Sequence, residues 1–297
     1  MLKKRALKKI FVTTLTMFII LVFYTFPFVN KDSHLLRTNL EIEDITNLNT
    51  DSIYLINPEG YLVRTEVFIN SRDIYERIPK IIDYLVIDND KIPIHLNGYL
   101  PNSVQLLSFS LENKHLRLNF SKDLTTCSNM DIVVSGIVYS FLEQKEIEKV
   151  SLLIEDQILD GYQNLTKDVG INKEFLFSVR KDIQKVILYY MDNTNTYYVP
   201  VTKYLNDTRE KVEIIVEELK KNHTNLISLE NIHTQLLDYR NEENVFFLNF
   251  NEYLIEEDTN AYEKLLNTIA YSIFDNYDVN MVMFEVNHQK IKYISRN

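Results

Sequence analysis

The sequence predicts an α+β chain of two tandem two-layer α/β sandwich domains, each a mixed sheet with two helices, behind an N-terminal transmembrane helix. Three observations carry that prediction. Residues 10–29 are uncharged and directly follow a run of basic side chains. An amphipathic helical stripe occurs twice, with every apolar position displaced by 132 residues. Stretches of period-2 alternation, the mark of a half-buried strand, flank both stripes in the same order.

The N-terminal segment sets the expected location. Residues 1–9 hold Lys3, Lys4, Arg5, Lys8 and Lys9 and no acidic residue. The uncharged run after them is long enough to cross about 30 Å of hydrocarbon as a helix. The positive-inside bias makes 1–9 a cytoplasmic basic tail, 10–29 a signal anchor and 30–50 a polar linker outside. A cleaved signal peptide would place small residues before the cut, and Tyr24-Thr25-Phe26-Pro27-Phe28 offers no such site. A lipoprotein would need a cysteine just after the apolar run, whereas the one cysteine is Cys127. The expectation is a single-pass protein of the cell membrane with an extracytoplasmic C-terminal body.

The first copy opens with a strand pair, 53–56 and 61–67, about the turn Asn57-Pro58-Glu59-Gly60, whose composition favours turns. A short helix carries Ile78, Ile81, Ile82 and Leu85 and is expected to start near Pro79, because proline is tolerated in a first turn. A hairpin follows, with Leu107, Phe109 and Leu111 on one strand, a turn at Glu112-Asn113-Lys114, and Leu116, Leu118 and Phe120 on the other. The longer helix carries Met130, Val133, Val134, Ile137, Val138 and Phe141, with Ser128 and Asp131 resembling an N-cap and its acidic partner. Strand 150–154 closes the copy.

The second copy repeats each element. Strands 186–191 and 196–201 flank the turn Asp192-Asn193-Thr194-Asn195, and a short helix carries Val212, Ile215, Val216 and Leu219. Leu248-Asn249-Phe250 matches Leu118-Asn119-Phe120. The long stripe is Tyr262, Leu265, Leu266, Ile269, Ala270 and Ile273, with Asn260 and Glu263 at its start, and the closing strand is 282–286. Ile269, Tyr271 and Ser272 also match Ile137, Tyr139 and Ser140. Each copy therefore reads β-β-α-β-β-α-β, a pattern that buries its apolar faces as two layers. Domains are expected at 51–165 and 184–297, joined by a linker at 166–183, each folding separately.

These segments resemble the GerMN-domain family of sporulation and spore-germination proteins. The matching stretches are 199–205 (VPVTKYL), 106–111 (LLSFSL), 116–124 (LRLNFSKDL) and 150–154. The resemblance spans roughly 51–297, and the LNFS hairpin followed by the helix through Ile137 and Phe141 is its most specific part. It implies a membrane-tethered, extracytoplasmic protein whose fold is similar to the ring-building modules of secretion-type assemblies. The implied role is to assemble or localise the channel complex between mother cell and forespore. The family usually sits behind a lipoprotein anchor. This chain lacks the anchoring cysteine, so a transmembrane helix is expected in place of lipid.

Charge and motifs exclude several functions. The chain of 297 residues carries −10; the five cations at its front leave 27 basic against 42 acidic residues in 31–297, or −15. Such a body repels nucleic acid and anionic lipid. A lone cysteine builds no disulfide framework. Its five glycines fit neither G-x-G-x-x-G nor a Walker loop. The histidines His34, His95, His115, His223, His233 and His288 are scattered, with no H-E-x-x-H. Cys127 precedes a helix start, a place that can lower a thiol pKa, but it lacks an arranged base. No G-x-S-x-G elbow occurs. The acidic runs 41–44 and 252–258 lack calcium-loop spacing and read as solvated faces, and the sequons at Asn164, Asn206 and Asn222 read as chance in an Asn-rich chain. Tyr197 and Tyr253 are candidates for a recognition surface. No catalytic, cofactor-binding or metal residue is assigned.

The expected function is a non-enzymatic membrane-anchored scaffold that assists assembly or localisation of a sporulation or germination envelope complex. Its partners are other envelope proteins, in homo- or hetero-oligomers, with no nucleic acid and no cofactor. The alternative is a cell-wall-associated binding or accessory module acting with a peptidoglycan enzyme.

Overall fold

A computed structural model of the chain describes residues 50–227, 233–255 and 259–296. The anchor expected at 10–29 lies outside them, and among the described residues no helix is long and apolar enough to cross a membrane. The first repeat runs β1 (Thr50–Ile56), β2 (Leu62–Phe68), α1 (Ile74–Tyr84), β3 (Leu106–Glu112), β4 (His115–Phe120), α2 (Met130–Leu142), β5 (Lys149–Ile154) and β6 (Gln157–Ile158). After β7 (Glu174–Leu176), the second runs β8 (Ile183–Asp192), β9 (Tyr198–Asn206), α3 (Lys211–Leu219), β10 (Leu226–Ile227), β11 (Leu236–Glu242), β12 (Val245–Phe250), α4 (Thr259–Asn276), β13 (Met281–Val286) and β14 (Gln289–Ser295). The mixed α/β order expected in both copies is present. Each copy also gains a closing antiparallel strand, β6 or β14.

Each repeat has its own four-stranded sheet, β3-β4-β5-β6 and β11-β12-β13-β14. The central pairs β4–β5 and β12–β13 are parallel, because a helix crosses between them rather than a tight turn. The repeated Leu-Asn-Phe tripeptide has a divided role. Leu118, Phe120, Leu248 and Phe250 are fully buried. The asparagines hold the next turn: Asp156 N–H donates to Asn119 Oδ1 at 2.9 Å and His288 N–H to Asn249 Oδ1 at 2.8 Å. Both turns carry two consecutive residues of positive φ, Glu155 and Asp156 in one and Asn287 and His288 in the other. That geometry matches the right-handed twist of the strands it joins.

The long stripes are buried as expected, from Val133 to Phe141 and from Leu265 to Ile273. The shared serines explain the Tyr-Ser match. Strand β1 is a sheet edge, and its Tyr54 N–H donates to Ser140 Oγ of α2 at 2.9 Å. In β8, Tyr189 N–H donates to Ser272 Oγ of α4 at 2.8 Å, and one turn later Asn276 pairs with both N–H and C=O of Ile187. The helices thus satisfy backbone of β1 and of the stretch of β8 not paired by β10, which would otherwise be buried without a partner.

Three local expectations are corrected. Helix α1 starts at Ile74, capped by Asp73, so Pro79 lies inside it. The lost hydrogen bond is outweighed by burial of Ile74, Ile78, Ile81 and Ile82. The cap of α2 is Asn129, whose side chain accepts from Ile132 N–H, rather than Ser128; α4 begins at Thr259, which places Asn260 within it. Leu107 lies on β3 as expected, and it faces outward because the register shifts between Leu106 and Ser108. The second repeat shifts at the same place, between Leu236 and Asp238, and Leu237 is likewise exposed.

The two hairpins β1-β2 and β8-β9 belong to one six-stranded sheet, in the order β1-β2-β9-β8-β10 with β7 also on β9. Residues 49–297 accordingly form one compact unit. The expectation of separate folding leaves this shared sheet out. Segment 166–183, read as a linker, is part of it: β7 lies parallel to β9 at Glu174–Lys203 to Leu176–Leu205, and Ile171 is fully buried.

Replacing Ser272 by Ala strands the Tyr189 N–H. A cost of about 1–3 kcal/mol is expected for one buried unsatisfied donor, read as a lower urea midpoint at unchanged m-value. An unchanged midpoint would contradict the capping role.

Candidate functional site

The seam between the repeats is where charge, burial and geometry converge. Strand β2 meets β9 at the antiparallel pair Arg64–Tyr198. Beside it, Asn172 stitches both strands: its Oδ1 accepts from Leu62 N–H at 2.9 Å, and its Nδ2 donates to Leu62 C=O at 2.8 Å and Pro200 C=O at 2.7 Å. The segment around it is anchored by Ser135 Oγ donating to Gly170 C=O at 2.8 Å and by Ile171 N–H donating to Thr202 Oγ1 at 2.9 Å.

Behind the seam, the last turns of α2 and α4 bring in equivalent carboxylates, Glu143 just past α2 and Asp275 within α4, 132 positions apart. Lys167 bridges them, with Nζ 3.2 Å from Glu143 Oε1 and 2.7 Å from Asp275 Oδ1. Arg64 Nε lies 3.2 Å from Glu143 Oε2. Equivalent tyrosines of β1 and β8 complete the cluster. Tyr54 OH donates to Glu143 Oε1 at 3.2 Å, Tyr189 OH donates to Asp275 Oδ2 at 2.7 Å, and the two hydroxyls stand 3.2 Å apart. Arg64 sits over the ring of Tyr271 at 5.5 Å and Lys167 over that of Tyr139 at 5.4 Å, again equivalent residues of the two long helices. The arrangement is a pseudo-twofold clasp, except that its cations come from unrelated places in the chain: Lys167 and Arg64 are joined by Arg296, whose Nη2 lies 3.8 Å from Asp275 Oδ1.

Burial opposes ionisation of Glu143, but Lys167 and Arg64 outweigh it and hold the carboxyl at about 2. Burial likewise opposes the Lys167 ammonium, and Asp275 and Glu143 lift it above the ordinary lysine value. Burial, aided by the nearby carboxylates, pushes Tyr54 and Tyr189 well above the ordinary phenol range. A cavity of about 540 Å³ opens beside the clasp, lined by Glu143, Lys167, Tyr271, Asp275 and Arg296 among others. Glu143 and Lys167 are thus locked in their charged forms and the tyrosines in their neutral ones. This suits a clasp, whereas proton transfer needs a group poised near the working pH.

Residues singled out in the sequence lie elsewhere. Cys127 is half-buried after the 3-10 turn Lys122–Thr126, and burial pushes its thiol up, opposite to the lowering its position suggested. His115 Nε2 lies 2.8 Å from Ser151 Oγ, and burial lowers its pKa. His223 pairs with Glu174 of β7 at 2.7 Å, and Glu174 also lies 3.6 Å from Lys203, which forms a buried ion pair with Glu218 at 3.2 Å. His233 packs on Tyr253 at 5.6 Å, and Tyr197 packs against the core. His34 and acidic run 41–44 fall outside the described residues, as does the end of run 252–258. Among the described residues no group of three His, Cys, Asp or Glu side chains could hold a metal ion. The clasp itself left one signal in the sequence: acids at equivalent positions, Glu143 and Asp275, two residues beyond the stripes that end at Phe141 and Ile273.

The family model described as Germane, sporulation and spore germination, matches residues 52–160 and 187–292. Among solved structures, the tandem GerMN domains of the sporulation protein GerM from Bacillus subtilis match with a TM-score of 0.73 at 19% identity, covering 84% of this chain and 96% of that one. The first GerMN domain of the same protein, solved by itself, matches with a TM-score of 0.35 at 18% identity, over 39% of this chain and 93% of that one. No curated protein matches the sequence.

Glu143→Gln should cost about 3–5 kcal/mol, the usual penalty for breaking a buried pair. The folded carboxyl titrates near 2 against an ordinary 4.5. Its contribution is therefore present above the ordinary value and lost as pH falls through it toward 2. The parent protein should weaken across that window, and Glu143→Gln should flatten the decline; an equally steep decline in the variant would contradict the clasp.

Proposed function

The chain belongs to the Germane family of sporulation and spore germination, and from that premise we propose that it is a non-enzymatic scaffold of the cell envelope. In this reading residues 10–29 anchor it in the membrane and the body docks other envelope proteins outside. The seam carries the reading. A shared sheet, the Asn172 stitch and the Glu143–Lys167–Asp275 clasp hold the repeats in one fixed relation. A platform presenting two modules to partners needs that fixed relation, whereas two modules on a loose tether would each pay the orientational cost again on binding. The acidic body steers toward basic partner faces with a salt-sensitive on-rate.

Solubilised membranes from the producing cells, passed over the tagged chain, should yield envelope proteins of the sporulation or germination apparatus. Retention on peptidoglycan with no protein partner would favour an accessory role with a wall enzyme instead. Protease added to intact protoplasts should digest the body; a protected body would overturn the topology. Cys127→Ser and the single His→Ala variants should keep full function in a sporulation assay, and a folded but inactive one would overturn the scaffold reading.

A further inference from the structure

The seam holds the repeats by contacts that do not depend on an unbroken chain between them. Residues 177–182 (FSVRKD) run over the surface from β7 to β8, and all but Phe177 are exposed. Among the described residues none of their N–H groups donates a hydrogen bond. Their carbonyls are held at two points: Asn206 Nδ2 donates to Val179 C=O at 3.1 Å and also to Lys181 C=O. Between those two, the Arg180 carbonyl accepts no bond and the Arg180 guanidinium meets no acid among the described residues.

An endoprotease of arginine specificity needs three things of its substrate. The backbone must lie extended with free N–H groups along the enzyme's edge strand, the arginine must reach the specificity pocket, and the scissile carbonyl must enter the oxyanion hole. Exposed loops are where such cuts concentrate. The Arg180–Lys181 bond meets all three, and the other described arginines do not. Arg64, Arg117 and Arg240 lie within strands and Arg77 within a helix. The guanidinium of Arg209 is folded onto Asp207 at 2.7 Å. After Arg72, the scissile N–H would be that of Asp73, which donates to Ser71 Oγ at 3.2 Å at the cap of α1. Arg296 N–H donates to Asn280 C=O at 2.9 Å.

We propose that the Arg180–Lys181 bond is a cleavage site for an endoprotease of arginine specificity, and that the cut protein persists as a two-chain body. Water supplies a hydroxyl to the Arg180 carbonyl carbon and a proton to the Lys181 nitrogen as the C–N bond breaks, so no further reactant is needed. The piece ending at Arg180 keeps Arg64, Lys167, Asn172 and β7; the piece starting at Lys181 keeps β9 and Asp275. The Lys167–Asp275 ion pair, the Asn172–Pro200 hydrogen bond and the pairings of β2 and β7 with β9 therefore all cross the cut. Lys185 adds an ion pair to Asp168, and Lys203 lies 3.6 Å from Glu174. Cutting removes the tether, and with it the effective concentration of one piece for the other, but none of these contacts. The inference does not depend on the scaffold reading.

The test is brief digestion of the full chain in detergent micelles with an arginine-specific endoprotease, with new N-termini read by mass spectrometry. Within residues 50–296 the first new N-terminus should be Lys181. The two pieces should co-elute in size-exclusion chromatography and separate only in urea, and the Tm of the cut protein should rise with its concentration, since its unfolding now frees two chains. Arg180→Gln, a change at an exposed side chain without a partner, should melt as the parent does and lose this cut. A first cut after any other described arginine, or no cut at all while the fold is intact, would overturn the site. Pieces that part without denaturant, or a cut protein whose Tm ignores concentration, would overturn the two-chain body.

Discussion

A carboxylate carried into a protein interior must be neutralised where it stands, and here two of them arrive together. Glu143 and Asp275 come from equivalent positions at the ends of the two long helices, so the duplication that made the chain also brought two like charges to one place. Lys167, bridging both, and Arg64, holding Glu143, relieve the repulsion, with Arg296 3.8 Å from Asp275. Lys167 comes from the connecting segment and Arg64 from β2, so neither cation could serve unless that segment and that strand lay at the seam. The shared sheet, the path of residues 166–172 and the relative placement of the repeats all follow from this need. Buried ion pairs often fix a unique arrangement more than they add stability, and the pseudo-twofold clasp has that character.

The second constraint is the fate of strand edges. A duplicated hairpin offers duplicated edges, each a row of unpaired backbone groups. The chain closes β2 against β9, gives the rest of that edge of β9 to β7, and covers the outer edge of β1 and the stretch of β8 not paired by β10 with side chains of the long helices. The serines of the repeated Tyr-Ser pair and Asn276 belong to this solution. Where an edge is left open, on β3 and β11, both repeats place a bulge and an exposed leucine at the same register.

Much of this was legible in the sequence because it is periodic. The helical stripes, the alternating Leu116, Leu118 and Phe120, and the constant offsets come straight from residue spacing. The elements that escaped are those whose partners are distant or whose signal is short. β6 has two residues and β7 three, too few for any period. Asn172 reads as an ordinary loop residue until the strands it joins are side by side. Pro79 argued for a later helix start, and four buried isoleucines overruled it. The clasp was half visible, since its acids repeat, and half hidden, since its cations do not.

If the seam binds the repeats into one cooperative body, the most direct measurement is calorimetry of the full chain in detergent micelles. One endotherm with equal calorimetric and van't Hoff enthalpies is expected, the signature of a two-state transition. Two resolved endotherms, or a calorimetric enthalpy well above the van't Hoff value, would contradict the coupling of the repeats.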